Sequence, residues 1–393
     1  MNVLVVSHLW PRADFPHLGI FVADQVAELA KRCQVSVVAP VDLTHRSDEI
    51  GPKEILAGLP QYRARAQPAF IPVNEIKPQV VTFRAAPFRQ ALALATARNL
   101  AKALEPIDPA QFDLIHAHTL FPDGLACSLW LKNMSIPLVI TAHGSDVHSM
   151  PPGVKKALGH LLDRADLMIA VSRSLSESLI RLGARPDIVH VLPNGFAADL
   201  FDLPSPPPRV RRKIVFLGRL GAVKRVDLLI RALTHLPPDI HLGIAGDGAE
   251  RRSLESLVAA LRLNQRVRFY GVISRQDIPP FLAGAALMCL ISEKEGWPTV
   301  IFESLACGTP VLATSVGGIP EALADPGLGM LIPPDISPEK LAAQILTALD
   351  KRWDHVAIRR HALNYSWKAI SARLFEVYQT LISAKQSSKE SSA

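Results

Sequence analysis

Short apolar, β-branched runs alternate with helix-patterned segments along almost the whole chain, and the alternation starts afresh after a proline-rich break. The first series holds NVLVVS (2–7), VSVVAP (35–40), VVTFR (80–84), DLIHAH (113–118), PLVITAH (137–143) and DLMIAVS (166–172). The second holds KIVFLG (213–218), HLGIAG (241–246), RVRFYG (266–271), ALMCLIS (286–292) and PVLATS (310–315). Such alternation predicts parallel α/β sheets, and 393 residues suffice for two cores. The fold class expected is therefore α/β, with two Rossmann-like domains at 1–203 and 213–366 joined by a Pro-rich linker at 204–212. A helix is expected at 367–385 and a disordered polar tail at 386–393, while 45–79 shows no periodicity that assigns an element.

One stretch carries chemistry. In EGWPTVIFESLACGTPVLATSVGGIPEAL, Glu295 and Glu303 stand eight positions apart. Pro298 suits the first turn of a helix, and Gly308 reads as the left-handed residue that ends it. Glu295 then sits on a loop before a helix N-terminus, and Glu303 lies inside the helix. A helix N-terminus suits a phosphate. Two carboxylates beside an anion site fit a sugar nucleotide, whose hydroxyls they can accept from.

This stretch resembles the E-x7-E signature of retaining glycosyltransferases of family 4, and the likeness runs on through ESLACGTPVLATSVGGIPE. The resemblance implies the GT-B architecture, two Rossmann-like domains facing each other across a cleft. The first would bind the acceptor, the second the nucleotide sugar, and the helix 367–385 would pack back on the first. It also implies donor contacts from Glu295, Gly296, Trp297, Pro298, Thr299, Val300 and Glu303, with Glu303 on the ribose and Glu295 on the sugar.

FLGRLGAVKRVDLLIRAL places Gly218, Arg219 and Lys224 on a loop at the C-terminal edge of a parallel sheet, where ligands of such sheets bind. Two cations there can hold a diphosphate and neutralise it as it leaves. The string resembles the family's G-R-x-x-x-x-K segment. Arg225 stands where the family often has glycine and reads as a surface residue. Gly246, in HLGIAGDG, resembles the family's turn near the nucleotide base, and Arg268 is expected at a strand end beside that base.

In the first half, Gly19 precedes a helix and is expected to let the backbone approach the diphosphate; a glycine serving only the helix start is the alternative. ITAHGSDVH brings His143 and Asp146 to a strand end, and DLIHAHTLFPDG brings His116, His118 and Asp123. The resemblance implies that His143 lines the reaction centre with Asp146 nearby. His118 is an acceptor-side candidate or a structural hydrogen-bonding histidine. The catalytic set implied is Arg219, Lys224, Glu295 and His143. No D-x-D triad is present and the cations supply countercharge, so no metal and no cofactor is expected; the donor substrate is a UDP- or GDP-sugar.

Net charge is +7. No aromatic-rich basic module or zinc-finger spacing points to nucleic acid. Four scattered cysteines, without a C-x-x-C pair, indicate neither a zinc site nor a disulfide framework. No apolar run is long and uninterrupted enough to span a bilayer, and MNVLVVSHLWP reads as a buried strand and not a signal peptide, so a cytoplasmic location is expected. Residues 46–105 carry nine Lys/Arg against five Asp/Glu. Within them FRAAPFRQALALATARNLAKAL (83–104) reads as one helix bearing Arg84, Arg89, Arg98 and Lys102. It is either a core helix with a solvated basic edge or a surface that docks peripherally on an anionic membrane.

The expected activity is metal-independent, retaining transfer of a sugar from a nucleoside-diphosphate sugar to a glycan or lipid-linked acceptor in bacterial surface polysaccharide synthesis. Two rivals stand beside it: another GT-B enzyme, such as a sugar-nucleotide epimerase or phosphorylase, and a non-catalytic GT-B partner subunit.

Overall fold

The computed structural model describes residues 1–13, 17–44, 69–86, 91–203 and 208–390. The chain divides into two compact units, Met1–Leu192 with Ser371–Ala393, and Pro193–Ile370. Each is built on a parallel sheet.

In the first unit the strands are β1 Asn2–Val6, β2 Gln34–Asp42, β3 Gln79–Phe83, β4 Leu114–His118, β5 Leu138–Ala142, β6 Leu167–Ala170 and β7 Val189–Val191, in the order β3-β2-β1-β4-β5-β6-β7. Every residue of β4, β5 and β6 is buried, as expected of a parallel sheet covered on both faces. The order reverses between β1 and β4, where a crevice opens at the C-terminal edge of such sheets. The register sets His118 opposite Thr141, so the end of β4 and the loop after β5 are neighbours.

The second sheet runs β10-β9-β8-β11-β12-β13, from β8 Val210–Leu217, β9 His241–Ala245, β10 Val267–Gly271, β11 Ala285–Leu290, β12 Val311–Thr314 and β13 Gly329–Ile332. Here the order reverses between β8 and β11. The loop carrying Arg219 and Lys224 follows β8, and the loop carrying Glu295 follows β11. The donor candidates thus flank the switch point of their own sheet.

Several boundaries differ from the sequence expectation. Residues 193–203 group with the second unit because Phe196 is tied there: its N–H donates to the Tyr365 carbonyl at 3.1 Å, and its carbonyl accepts from Trp367 N–H at 2.9 Å. Of the expected linker, 204–207 lie outside the described residues, and from Val210 the chain is already in β8. The run 83–104 is not one helix: Phe83 closes β3, Arg84 follows it, and the helix is Ala93–Leu104. Its apolar side, including Ala93, Ala97, Leu100 and Leu104, is buried, while Arg98 and Lys102 are exposed; Arg89 lies outside the described residues.

The C-terminal helix spans Trp367–Glu390, beyond the expected start of the tail at 386. From Ser371 onward it belongs to the first unit. Tyr378 is fully buried there, Ser371 Oγ donates to the Gln25 carbonyl, and Lys385 Nζ lies 2.6 Å from Asp166 Oδ1.

Candidate active site

In the second unit, main-chain hydrogen bonds join the strand-end loops. Glu293 N–H donates to Val223 O at 2.8 Å, and Gly318 N–H donates to Gly296 O at 3.2 Å. Leu220 N–H donates to Asp247 O at 2.9 Å, and Gly246 N–H to Gly271 O at 2.7 Å. Two glycines permit this closeness. A Cβ on Gly246 would lie 1.9 Å from Gly218 O, and one on Gly317 would lie 1.8 Å from Glu295 O. Both also hold positive φ, 128° and 54°, which favours glycine.

Within that frame Lys224 Nζ lies 2.5 Å from Glu295 Oε1, with side chains 21% and 10% exposed. The same oxygen accepts from Ser292 Oγ at 2.6 Å. Ser292 is fully buried, and its carbonyl accepts from the buried Thr314 hydroxyl at 2.5 Å. Two side chains thus converge on one carboxylate oxygen of Glu295. Ser292, Thr314 and Gly317 were not singled out from sequence. The Gly317-Gly318 pair was the one available signal for a tight turn; the two hydroxyls carry no pattern that marks them. Arg219 is exposed, on the loop after β8 that also carries Lys224.

Pro298 occupies the N-cap position and not the first turn of the helix Thr299–Ala306. Gly308, at φ 67°, ends that helix: its N–H donates to Leu305 O at 2.8 Å, and Thr309 N–H donates to Ser304 O at 3.0 Å. Thr299, Val300, Gly296 and Glu303 are half-buried at its open end and along it. Trp297, expected among the donor contacts, has its ring committed elsewhere. It is 8% exposed, stacks on Phe302 at 5.1 Å, and donates from Nε1 to Asn194 O at 3.0 Å. Arg268 does not join the C-terminal edge. It is the second residue of β10, exposed, with its guanidinium 4.8 Å over the Tyr270 ring. Arg225 is more than a surface residue: it takes φ 48°, which explains why glycine is favoured at this position, and its guanidinium donates to the Pro334 carbonyl.

In the first unit the switch point carries an imidazole cluster. His8, missed in the sequence reading, follows β1, and its Nδ1 lies 2.7 Å from Oδ2 of the fully buried Asp123. His118 Nδ1 lies 3.0 Å from His143 Nε2. His116 Nε2 meets Thr141 Oγ1 at 2.7 Å, and its Nδ1 meets the Tyr378 hydroxyl at 2.5 Å. Burial, chiefly, lowers the pKa of His116 to about 3 and of His143 to about 4, and carries that of His118 well below the ordinary value. The three rings are neutral near pH 7.

Two of the first-unit candidates also have a role within the chain. Gly19 serves the chain itself: it holds φ 62°, and a Cβ there would lie 2.3 Å from the Leu9 main chain. Asp146 caps its own loop, with Oδ1 accepting from His143 and Gly144 N–H at 3.0 and 2.9 Å and Oδ2 from Leu120 N–H at 3.0 Å. Among the described residues no group of three or more His, Cys, Asp or Glu is arranged to hold a metal ion.

Comparison with known proteins agrees with both halves. Residues 18–200 match the family described as Glycosyltransferase Family 4, and residues 204–366 match Glycosyl transferases group 1. TuaC of Bacillus subtilis, named for teichuronic acid biosynthesis, is 28% identical over 99% of this chain and 96% of its own. A D-inositol 3-phosphate glycosyltransferase of Xylanimonas cellulosilytica is 29% identical over 68% of this chain and 72% of its own. Among solved structures, Anabaena Alr3699/HepE in complex with UDP superposes with TM-score 0.72 at 21% identity, covering 97% of this chain and all of that one. Sucrose-phosphate synthase of Thermosynechococcus elongatus reaches TM-score 0.74 at 21% identity, covering 98% and 100%. The chain is an enzyme of the GT-B class, and it belongs to the family 4 glycosyltransferases.

Proposed function

We propose that this enzyme moves a sugar, with retention of anomeric configuration, from a UDP- or GDP-sugar to a hydroxyl of a glycan or lipid-linked acceptor during assembly of a bacterial surface polysaccharide. The observation that carries the reading is the Lys224–Glu295 pair at the switch point of the second sheet, with Arg219 on the same loop as Lys224. Cations and a carboxylate so placed can take the two ends of a sugar diphosphate. Arg219 and Lys224 neutralise the diphosphate, the N-terminus of Thr299–Ala306 adds amide donors, Glu303 accepts from the ribose and Glu295 from the sugar.

In the reaction the bond between the anomeric carbon and the phosphate oxygen breaks. The acceptor oxygen bonds to the same face, and its proton passes to the departing phosphate. Charge developing on that phosphate is stabilised by groups already in place, so neither metal nor cofactor is required. His143 serves the sugar end. UDP in the HepE complex supports a nucleoside diphosphate donor, and TuaC's name, with its teichuronic acid biosynthesis, supports a polysaccharide acceptor. The exposed basic residues Arg84, Arg98 and Lys102 would bring the enzyme to an anionic cytoplasmic membrane surface; no described helix is long and apolar enough to cross one.

The test is incubation with a panel of UDP- and GDP-sugars, with and without EDTA, following slow donor hydrolysis and then the anomeric configuration of product formed with lipid-linked acceptors. Retained configuration and EDTA-resistant turnover support the reading. Inversion, acceptor-independent epimerisation or absence of any turnover would overturn it.

A further inference from the structure

We infer that His8 is an acceptor-binding residue: held by Asp123, it presents Nε2 as a hydrogen-bond acceptor to a hydroxyl of the glycan or lipid-linked acceptor. The geometry stands by itself; the identity of the occupant rests on the glycosyl-transfer reading above.

His8 follows β1, and Asp123 lies in the turn Leu120–Gly124 after β4, so the pair joins the ends of the two strands between which the first sheet reverses. Asp123 Oδ2 accepts twice from His8, from its main-chain N–H at 3.0 Å and from ring Nδ1 at 2.7 Å. The main chain on either side is held as well. Ser7 N–H donates to Val38 O at 3.0 Å, and Leu9 N–H donates to Ser7 Oγ at 3.1 Å. Backbone and ring of His8 are therefore both fixed.

A carboxylate only accepts, so Asp123 requires the proton on Nδ1. A neutral His8 ring then carries a lone pair on Nε2. That nitrogen makes no hydrogen bond with the described residues and is not among the buried unpaired atoms, and the side chain is 29% exposed. Nε2 is thus open to a visiting group.

The carboxylate beneath it is the second observation. Asp123 is 0% exposed, and its Oδ1 is buried without a hydrogen-bond partner. A buried carboxylate with one oxygen unpaired costs stability and calls for an explanation. Its only hydrogen bonds among the described residues go to His8. A ring needed only for packing would not require a buried carboxylate to hold it. Asp123 is therefore a positioning residue, and what it positions is the Nε2 lone pair. His8 also lies near the acceptor-side candidate His143, whose pKa burial lowers, Asp146 raises and His8 lowers again. A fixed lone pair favours a hydroxyl at one place on the acceptor over a deoxy or methyl-ether analogue there. The contact orients the acceptor and does not take the reacting proton, which passes to the departing phosphate.

The first measurement is two-bond proton–nitrogen NMR near pH 8.5 on histidine-labelled full-length protein, with His8 assigned from the His8→Asn spectrum. His8 Nδ1 should be pyrrole-like and Nε2 pyridine-like; a pyrrole-like Nε2 overturns the inference. The second is the ratio of transfer to donor hydrolysis, with UDP- or GDP-sugars as donors and octyl glycosides as acceptor probes. His8→Asn keeps an amide nitrogen close to Nδ1 for Asp123 but has nothing at Nε2, so the ratio should fall about tenfold, the worth of one hydrogen bond. His8→Gln sets an amide oxygen close to the Nε2 position and should recover part of the loss. Asp123→Ala should mix the two His8 tautomers and lower the same ratio. An unchanged ratio in His8→Asn overturns the inference. If Asp123→Ala does not fold, the two His8 variants still decide it. Absence of turnover in every chain would count against glycosyl transfer, while the ring-nitrogen spectra would still decide whether the lone pair is held.

Discussion

Lys224 Nζ and Glu295 Oε1 lie 2.5 Å apart across the switch point of the second sheet, one on the loop after β8 and the other on the loop after β11. The pair is mostly shielded from water, and Ser292 completes it. On the glycosyl-transfer proposal, a diphosphate entering beside Lys224 would meet a cation whose position a carboxylate already holds.

Lys224→Ala should lower kcat/KM for the nucleotide sugar by about 10- to 150-fold, equivalent to losing a charge-assisted hydrogen bond of about 1.5–3 kcal/mol. Arg219→Ala should act in the same direction through the leaving group. Steady-state donor hydrolysis reads both, and wild-type rates in the two variants would exclude the assignment.

Gly317→Ala should cost activity while sparing the fold. Its Cβ would lie 1.8 Å from the Glu295 carbonyl, and its φ of 54° is strained for alanine. The loop bearing Glu295 must shift, and donor turnover should drop at least about tenfold, as small misplacements of catalytic groups do. An unchanged circular dichroism spectrum with intact turnover would show that the loop tolerates the shift.

Acid should destabilise the first unit in a defined window. The folded pKa values of His116 and His143 are depressed to about 3 and about 4, against 6.5 when unfolded. Between those values the unfolded chain binds more protons, so stability rises with pH there. The stability these rings permit is complete above about 6.5 and is lost as pH falls, each ring contributing up to about 1.4 kcal/mol per pH unit. Urea midpoints between pH 7.5 and 4.5 should fall accordingly. Tyr378→Phe should lower the midpoint at every pH by about 1–3 kcal/mol equivalent, since it leaves a buried His116 nitrogen unpaired.

Changing Arg84, Arg98 and Lys102 to Gln should reduce flotation with anionic liposomes, where each basic residue near the surface adds about 1 kcal/mol. Binding should also fall with salt. Equal recovery with neutral and anionic vesicles would remove the membrane from the proposal.

Much of this architecture is legible in the chain because short buried runs such as LMIA, bounded and alternating with helix-patterned segments, read as strands of a sheet covered on both faces. The short strands β7 and β13, of three and four residues, carry too little pattern to be picked out. At the site, the nearness of Lys224 and Glu295 could be anticipated because each was expected on a loop after a strand of the same parallel sheet. Gly19, Asp146 and Trp297, expected at or near the ligands, each also satisfy an internal need of the chain. A close main-chain approach, three orphaned N–H groups and a stacked ring leave the same residue types in a sequence as a binding role would. Ser292 and Tyr378 lie far in sequence from what they hold, and nothing local marks them.

The return of residues 371–393 to the first unit has a consequence for biosynthesis. The N-terminal sheet is translated before residues 193–370, yet the Tyr378 that seals its histidine cluster is translated only after them. At about 5–20 residues per second, a nascent first unit waits roughly 10–35 s while residues 193–370 are translated. The second unit, contiguous in sequence, can complete its core in that interval. Until the last helix arrives, the apolar groove it will fill stays open to solvent and to other nascent chains. A ribosome stalled or a message cut just after codon 370 would therefore release a chain with every catalytic candidate present and its older half unsealed.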